Sequence, residues 1–161
     1  MKKVRSADVE NIANRPSVIA RNLSAALETT DVGIQYYELD PGELVGRTYH
    51  KHEDQEEIFH VTEGTITFEV GDRYGPTDEI DLDEGEWIRF APGDWQRGRN
   101  RSNNTAAVIG VGAPKGMSLD QATRLRECSE CDGWTRQNIE TLDGEGVSLC
   151  AECGTETGRW D

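Results

Sequence analysis

Short β-prone segments separated by turn residues are the feature of this sequence that most constrains its fold. Within residues 65–70, apolar residues at the even positions alternate with polar residues at the odd positions, which indicates a strand with one buried face. Turns, most of which contain glycine, separate this segment from six others, at residues 32–39, 46–52, 56–61, 79–82, 87–91 and 106–112. Short strands at this spacing predict an all-β antiparallel sandwich or barrel.

Composition raises the alternative that the chain is disordered. Its formal net charge is −14 and only 35% of its residues are hydrophobic, a combination that also occurs in disordered proteins. The strand periodicity, together with four Trp, four Tyr and three Phe, favours a folded chain. A length of 161 residues suffices for one domain with a hydrophobic core and a small appendage.

The basic residues are thirteen arginines and only four lysines. An acidic surface that is poor in lysine suits a cytosol of molar salt, where the Debye length falls to about 3 Å and self-repulsion is screened. We therefore expect a cytoplasmic protein of a halophile. An ordinary acidic cytoplasmic protein is the alternative.

The same composition bears on the partners. No basic stripe is present to neutralise phosphates, so we expect no nucleic-acid partner. No apolar run reaches the length of a membrane span or of the hydrophobic region of a signal peptide, so we expect no membrane contact.

The predicted organisation has four parts. Residues 1–31 form a polar N-terminal arm with one short helix at 17–28, which a partial apolar stripe supports: Val18, Ile19, Leu23, Ala26 and Leu27. The barrel follows at residues 32–113, then a polar linker at 114–126. A cysteine-rich tail occupies residues 127–161.

All four cysteines lie in this tail, as the pairs Cys128/Cys131 and Cys150/Cys153 with eighteen residues between the pairs. The spacing is typical of a four-cysteine zinc site, because one tight turn can present two thiolates to a tetrahedral Zn²⁺ about 2.3 Å away. Two disulfides or free thiols are the alternatives, and the reducing cytoplasm disfavours disulfides. We predict one structural Zn²⁺ held by all four thiolates.

The chain between the cysteine pairs predicts a hairpin, since β-prone residues 134–142 and 147–149 flank the turn signal Asp143-Gly144. The tail thus resembles a zinc ribbon. From residue 126 to residue 161 there are nine acidic residues and three arginines. This balance disfavours contact with phosphates, so we expect a structural role or a protein partner.

All three histidines lie within residues 50–60. His50 and His52 are two apart in a predicted strand, so they point to the same face, about 6.6 Å apart along the strand. Glu57 can join them only if residues 53–55 bend. Two imidazoles and one carboxylate on one side of an ion suit Fe(II), and also Mn, Ni, Co or Zn. We predict a divalent metal at these three residues; the alternative is a metal-free pocket in which they hydrogen-bond a ligand or each other.

The alternation of side chains along a strand predicts which face the neighbours of the histidines point to. The intervening residues Arg47, Tyr49 and Lys51 are expected on the opposite, wetter face of the strand. His60 is expected to point outward and is left out of the site.

The residues around this cluster resemble the first motif of the cupin family, with Gly46, His50, His52, Glu57 and Gly64 as the matching residues. With Gly46 as the leading glycine, the spacer before His50 is shorter than usual. The resemblance extends over about residues 34–112 and implies a double-stranded β-helix, which is a jelly-roll barrel. It also implies a mononuclear metal in the barrel (Fe, Mn, Ni or Zn).

Residues 85–100 are similar to the second cupin motif, but less closely. Gly93 and Asn100 keep their places, whereas Ala91 replaces a proline and Gln96 replaces the histidine that is the fourth ligand. The resemblance therefore implies Gln96 as a fourth ligand that is neutral and weak. It either coordinates poorly or leaves a position open for water and substrate. With the ribbon, the chain is similar to small cupin proteins of halophilic archaea.

Two functions stay open. One is a module that binds or senses a small molecule, with the ribbon contacting a partner. The other is a metal-dependent enzyme, dioxygenase-like or isomerase-like, with Glu57 as ligand or base. The replacement of the fourth histidine favours the binding module. The sequence names no substrate, and it leaves the oligomeric state open, a homodimer included.

The acidic composition predicts that stability depends on salt. We expect the Tm to fall when salt is lowered from about 1 M to about 0.1 M. The Debye length then grows from about 3 Å to about 10 Å, so the acidic groups repel each other more strongly. Calorimetry across a potassium chloride series measures the shift. A Tm that stays constant or rises as salt is removed would contradict the halophile interpretation.

Overall fold

Strands dominate the structure, a computed structural model that describes residues 1–115 and 122–160. The first range contains nine strands: β1 (Val18–Asn22), β2 (Gly33–Leu39), β3 (Leu44–His52), β4 (Glu56–Glu63), β5 (Thr65–Asp72), β6 (Gly75–Asp83), β7 (Trp87–Phe90), β8 (Trp95–Arg99) and β9 (Ala106–Ala113). The second range contains four: β10 (Ala122–Cys128), β11 (Gly133–Leu142), β12 (Glu145–Cys150) and β13 (Glu156–Trp160). In these two ranges no helix is long and apolar enough to cross a membrane.

Two antiparallel sheets form the barrel. One has the strand order β1-β2-β9-β4-β7, and the other runs β6-β5-β8-β3 and continues through β10, β11, β12 and β13. Most neighbours within a sheet are not neighbours in sequence, as a jelly-roll requires. The all-β jelly-roll barrel predicted from the sequence is therefore confirmed.

The core of the barrel lies between the two sheets. Phe59 and Phe68 meet there with ring centroids 5.0 Å apart, and Phe90 lies 5.3 Å from Phe68. Thr67 and Glu69 on the other face of β5 are each only 5% exposed, so the prediction of a single buried face was wrong. Ile66 and Phe68 are fully buried, as predicted. Burying each such side chain stabilises the fold by about 1.5–3 kcal/mol.

The N-terminal arm contributes a strand where the sequence predicted only helix. Of the predicted helix at residues 17–28, only α1 (Leu23–Leu27) is present, and the side chain of Asn22 caps it by accepting from the Ala25 N–H at 2.9 Å. β1 pairs with β2, and Val18 joins the barrel core. Pairing satisfies the backbone groups along the edge of β2, a non-local gain that outweighs the short apolar stripe.

The C-terminal part is joined to the barrel by sheet pairing. We call residues 122–160 the cysteine module. Its first strand, β10, pairs with β3 from Ala122 opposite His52 to Leu125 opposite Tyr49. Residues 122–126, which the sequence assigned to the linker, therefore lie in a strand, and residues 116–121 lie outside the described part of the chain. The hairpin predicted within the tail is present as β11 and β12.

Tyr49 is fully buried, although the sequence placed it on a wetter face. Its ring stacks on Trp95 with centroids 5.4 Å apart and meets Trp134 edge-on at 5.5 Å. Leu125 completes this second hydrophobic cluster. The cysteine module covers the outer face of β3 and β8 here, so module and barrel share part of their cores.

Gly75 provides a test of this docking. It has φ +117°, and a Cβ there would lie 2.6 Å from the Trp134 ring; Gly85 has φ +88° and nothing within 4 Å of such a Cβ. We expect Gly75→Ala and Gly85→Ala both to lose about 1 kcal/mol because of the positive φ. Gly75→Ala should lose about 1–3 kcal/mol more through overpacking. Denaturant unfolding measures both, and equal losses would contradict the packing of Trp134 on this turn.

Candidate functional site

The structure brings together the three predicted metal ligands of the barrel. His50 and His52 come from β3 in one sheet, and Glu57 comes from β4 in the other. One ligand atom from each lies within 4.8 Å of the other two. Glu57 Oε2 is 3.7 Å from His50 Nε2, and Glu57 Oε1 is 3.7 Å from His52 Nε2. The cluster therefore lies between the sheets, where a cation would meet all three groups.

Local structure explains this convergence. The chain bends between the end of β3 and the start of β4, as predicted, and this bend returns Glu57 toward the histidines. The N–H of Gly93 donates to the carbonyl of His52 at 2.7 Å, which fixes the end of β3 against the turn between β7 and β8. The two histidines project to one face of β3 because they are two residues apart.

Backbone contacts orient the His50 ring. Its Nδ1 lies 2.9 Å from the carbonyl oxygen of Thr48, and a carbonyl can only accept, so Nδ1 carries the hydrogen. Nε2 then presents its lone pair to Glu57, which is the tautomer that a metal ligand needs. For His52, Nε2 faces Glu57, while Nδ1 is buried without a hydrogen-bond partner among the described residues.

Gln96 lies directly opposite His50 on β8 and is 2% exposed. Its Nε2 donates to Glu57 Oε2 at 2.7 Å and lies 3.1 Å from His50 Nε2. Its Oε1 is buried without a partner in the described part of the chain. The reverse amide orientation would turn Oε1 toward these two acceptors, an arrangement that is favourable only with a cation between them. Gln96 thus lies next to the three predicted ligands, where a fourth ligand would be, and its amide is a weak, neutral donor.

The four cysteines converge at the end of the cysteine module. The Sγ atoms of Cys128 and Cys153 are 3.6 Å apart, those of Cys131 and Cys150 are 3.8 Å apart, and all four lie within 4.8 Å of one another. Four thiolates at about 2.3 Å from a tetrahedral Zn²⁺ would be roughly 3.8 Å apart. The same separations are much too long for disulfide bonds. The geometry therefore fits a four-coordinate metal.

Comparison with known proteins identifies the barrel. Residues 35–112 match the sequence model of the cupin domain family. The barrel has the cupin fold. Among curated proteins, no significant match was found.

Solved structures agree on the fold. The chain is similar to a sugar phosphate isomerase of the cupin superfamily from Silicibacter pomeroyi, with 19% identity, a TM-score of 0.61 and coverage of 96% of this chain and 91% of that chain. A predicted oxalate decarboxylase from Thermotoga maritima shares 22% identity with a TM-score of 0.56, and the match covers 70% of this chain and 98% of that chain. A polyketide cyclase from Streptomyces resistomycificus shares 20% identity with a TM-score of 0.57, and the match covers 75% of this chain and 89% of that chain. Identities this low establish the cupin fold alone.

The charges in the cupin site favour metal binding. Burial raises the pKa of Glu57. The hydrogen bond and charge that His50 supplies when it is protonated, the charge of protonated His52 and the Gln96 amide together lower it by more, so the pKa of Glu57 lies below its ordinary value. Burial lowers the pKa of His52, more than the charge of Glu57 raises it. An anionic carboxylate beside a neutral imidazole is the protonation state that metal ligands require.

Tyr37 is a core residue that the charge of Glu57 reaches, and sequence reasoning missed this link. It lies on β2 and packs against the barrel core. Burial and then the charge of Glu57 raise its pKa to about 12, so its hydroxyl keeps its proton at neutral pH and remains a donor. The alternation along β2 gave no signal of this role. Only the pairing of β2 with β9, and of β9 with β4, brings Tyr37 onto the same wall as Glu57.

His60 lies outside the cluster, as expected. Its ring stacks on Trp87 with centroids 3.9 Å apart, and Trp87 is 62% exposed. His60 Nδ1 lies 3.0 Å from the carbonyl oxygen of Glu86. His60 is therefore a surface residue, and it lies beside β7, the edge strand of its sheet.

Two threonines adjust the cysteine site, and the sequence marked neither. A hydrogen bond of 3.2 Å joins Thr135 Oγ1 to Cys150 Sγ, and this contact lowers the pKa of the Cys150 thiol to about 6. A similar bond from Thr155 lowers the pKa of Cys153. Gln137 Nε2 donates to Thr135 Oγ1 at 3.0 Å and orients it. Thiolates are the form that binds metal, so these contacts favour metal binding.

Proposed function

We propose that the cupin barrel binds one divalent transition metal through His50, His52 and Glu57 and uses it to hold a small oxygen-bearing molecule. The convergence of these three ligand atoms within 4.8 Å of one another carries the proposal. Two imidazoles and a carboxylate form a donor set for Fe, Mn, Co, Ni or Zn. When bound, such a metal acts as a Lewis acid on an oxygen of the bound molecule.

The chain's own groups support a binding role. Glu57 supplies the negative charge that attracts a cation, and the Thr48 carbonyl fixes the ligating tautomer of His50. Gln96 offers only a weak amide oxygen in place of a fourth imidazole, which leaves a coordination position for an exchangeable ligand. The side chains of His50, His52 and Glu57 are 16%, 10% and 20% exposed, so a small molecule can reach them from solvent.

A metal-dependent enzyme, the second candidate, is favoured by Tyr37. The charge of Glu57 reaches its phenol, which keeps its proton at neutral pH. The barrel therefore holds one potential proton donor in addition to the potential base Glu57. Structures similar to this chain are described as an isomerase, a decarboxylase and a cyclase. If the protein binds a small molecule and does not convert it to a product, the binding role is favoured over the enzyme.

Metal titration of four proteins tests the barrel site. Zinc-loaded wild type should bind one further Co²⁺ per chain, and His52→Ala should weaken this binding by at least tenfold. Gln96→His adds an imidazole at the fourth position and should strengthen it by at least tenfold, about 1.4 kcal/mol. His60→Ala is the matched control and should bind as wild type does. Cobalt absorption spectra report the binding.

Equal Co²⁺ binding by wild type, His52→Ala and Gln96→His would show that these histidines are not metal ligands. If Gln96→His binds Co²⁺ as wild type does while His52→Ala binds it more weakly, Gln96 lies outside the coordination sphere. His52→Ala must retain the zinc of the cysteine module, since the two clusters share no residue.

We further propose that the cysteine module binds one structural Zn²⁺ as a zinc ribbon. The separations of the four sulfurs support this proposal, because they match a tetrahedral thiolate site. The pairing of β10 with β3 supports a structural role for the module. A protein partner of the module stays a prediction.

Replacing Cys131 should affect both sites. Cys131→Ser should release about one zinc per chain and unfold the module, because structural zinc binding is itself folding free energy. Since β10 pairs with the segment of β3 that carries His50 and His52, we also expect weaker Co²⁺ binding in the barrel. Elemental analysis and cobalt titration measure both, with the exposed Ser129→Ala as control. Unchanged zinc in Cys131→Ser would contradict the zinc ribbon.

A further inference from the structure

The outer face of the five-stranded sheet is apolar at its centre. Directly opposed residues of antiparallel strands project to the same face, and the strand pairings place two rows of residues on this one. The first row is Arg89, Ile58, Val111 and Ile34, and the second is Trp87, His60, Ile109, Tyr36 and Arg21. The apolar residues of both rows belong to neither core cluster of the described part of the chain. They face away from the barrel interior.

Trp87 is the most exposed side chain of these rows, at 62%. Its ring is held in place, because it stacks on the His60 ring with centroids 3.9 Å apart and the two planes within 8°. A ring that is already ordered loses little freedom when a partner covers it. Tryptophan is also among the side chains that contribute most to binding at protein interfaces. This edge of the face is therefore suited to contact with another protein surface.

Carboxylates lie only at the perimeter of this face. The chain has a net charge of −14, yet the two rows contain no carboxylate. At one end, Glu56 pairs with Arg89 at 2.6 Å. At the other end, Glu38 and Glu63 lie opposite Ala107, one on each side. An apolar centre within a rim of both charges has the anatomy of a protein–protein interface.

We propose that this face is the interface of a homodimer, in which the five-stranded sheets of two copies pack on each other. Sheets that pack face to face keep their strands within about 30° of one another. A two-fold axis in the plane of the face, running across the strands between the two rows, sets the first row of one copy on the second row of the other. The apolar side chains of the two central strands then meet each other.

The same axis pairs the charged end of the first row with Trp87. Arg89 of one copy meets the exposed ring of Trp87 of the other, and a guanidinium over an indole is a favourable cation–π contact. Arg89 can make this contact while its Nε keeps the ion pair with Glu56, because a guanidinium stacks and donates at the same time.

Self-complementarity favours a second copy over an unrelated protein. A two-fold dimer uses the same patch on both subunits, so the patch must fit itself. The axis across the strands satisfies this requirement. An axis along β9 would instead set Glu38 of one copy against Glu63 of the other, because these two flank Ala107 on opposite sides, and like charges across an interface repel.

The size of the face is sufficient for a dimer. Five strands about 4.8 Å apart, each contributing some seven residues of about 3.4 Å, give a face of roughly 24 by 24 Å. Two copies would therefore bury about 1,200 Å², which is where interfaces of standard size begin.

Sedimentation equilibrium tests this inference. In about 1 M potassium chloride, which screens the acidic surface, zinc-loaded wild type at micromolar concentration should have twice the chain mass of 17.9 kDa. Ile109→Glu should have the mass of one chain, because a dimer would bury two unpaired carboxylates. Trp87→Ala should weaken the dimer by roughly tenfold or more, as expected for an interface residue of this kind.

Ile139→Glu is the matched control. Ile139 lies in β11 of the cysteine module and is 38% exposed, so the same substitution is made away from the face and should leave the dimer intact. Near-UV circular dichroism shows whether Ile109→Glu keeps its fold. Trp87→Ala, which changes an exposed side chain, provides the test if Ile109→Glu does not fold.

Three results would overturn the inference. The first is a monomeric wild type, which is also what occupation of the face by a different protein predicts for the purified chain. The second is a dimer that is equally tight in wild type, folded Ile109→Glu and Trp87→Ala, which would place the contact on another surface. The third is an equal loss of the dimer in Ile139→Glu.

Discussion

The pairing of β10 with β3 is the interaction on which the rest of the structure depends. β3 has His50 and His52 on its inner face and Tyr49 on its outer face, so one strand serves the proposed metal site and the second hydrophobic cluster. On its other side, β3 pairs with β8 only at Leu44, Val45 and His50, with a register irregularity between the last two. The histidine-bearing end of β3 therefore relies on β10 for much of its backbone hydrogen bonding, and ordering of the cysteine module supports the geometry of the barrel site.

Gln96 shows how a cupin site can be adjusted by one side chain. A histidine at this position would add a fourth strong donor, whereas the amide here donates to Glu57 and lies against His50. A cation and this amide N–H are alternatives in front of the same acceptors, because both satisfy the same lone pairs. A metal at the proposed site would therefore compete with this internal hydrogen bond, and the weak fourth donor would leave room for an exchangeable ligand.

Arginine takes several structural roles in this acidic chain. Arg97 and Arg101 both pair with Glu69, which is 5% exposed, and Arg97 also lies over the Trp134 ring with its guanidinium carbon 5.5 Å from the ring centroid. Arg126 approaches the carbonyl of Arg47 at 3.3 Å across the junction of module and barrel. A guanidinium can pair, stack and donate at the same time, which the compact ammonium of lysine does less well. The preference for arginine therefore contributes to the docking of the module.

The sequence by itself determined most strands of the barrel, the core-facing residues of β5 and the grouping of the two clusters. These are local properties: alternation marks Ile66 and Phe68 as core residues of β5, parity places His50 and His52 together, and a C-x2-C pair brings two sulfurs to one turn. Only the tertiary structure decided what covers each face. Tyr49 was assigned to water because parity gives a direction but does not name the neighbour on that side, and the neighbour is Trp134 from the cysteine module, far along the chain. The strand at residues 18–22 and the electrostatic link between Tyr37 and Glu57 escaped prediction for the same reason, since each depends on pairings between distant segments that no local pattern records.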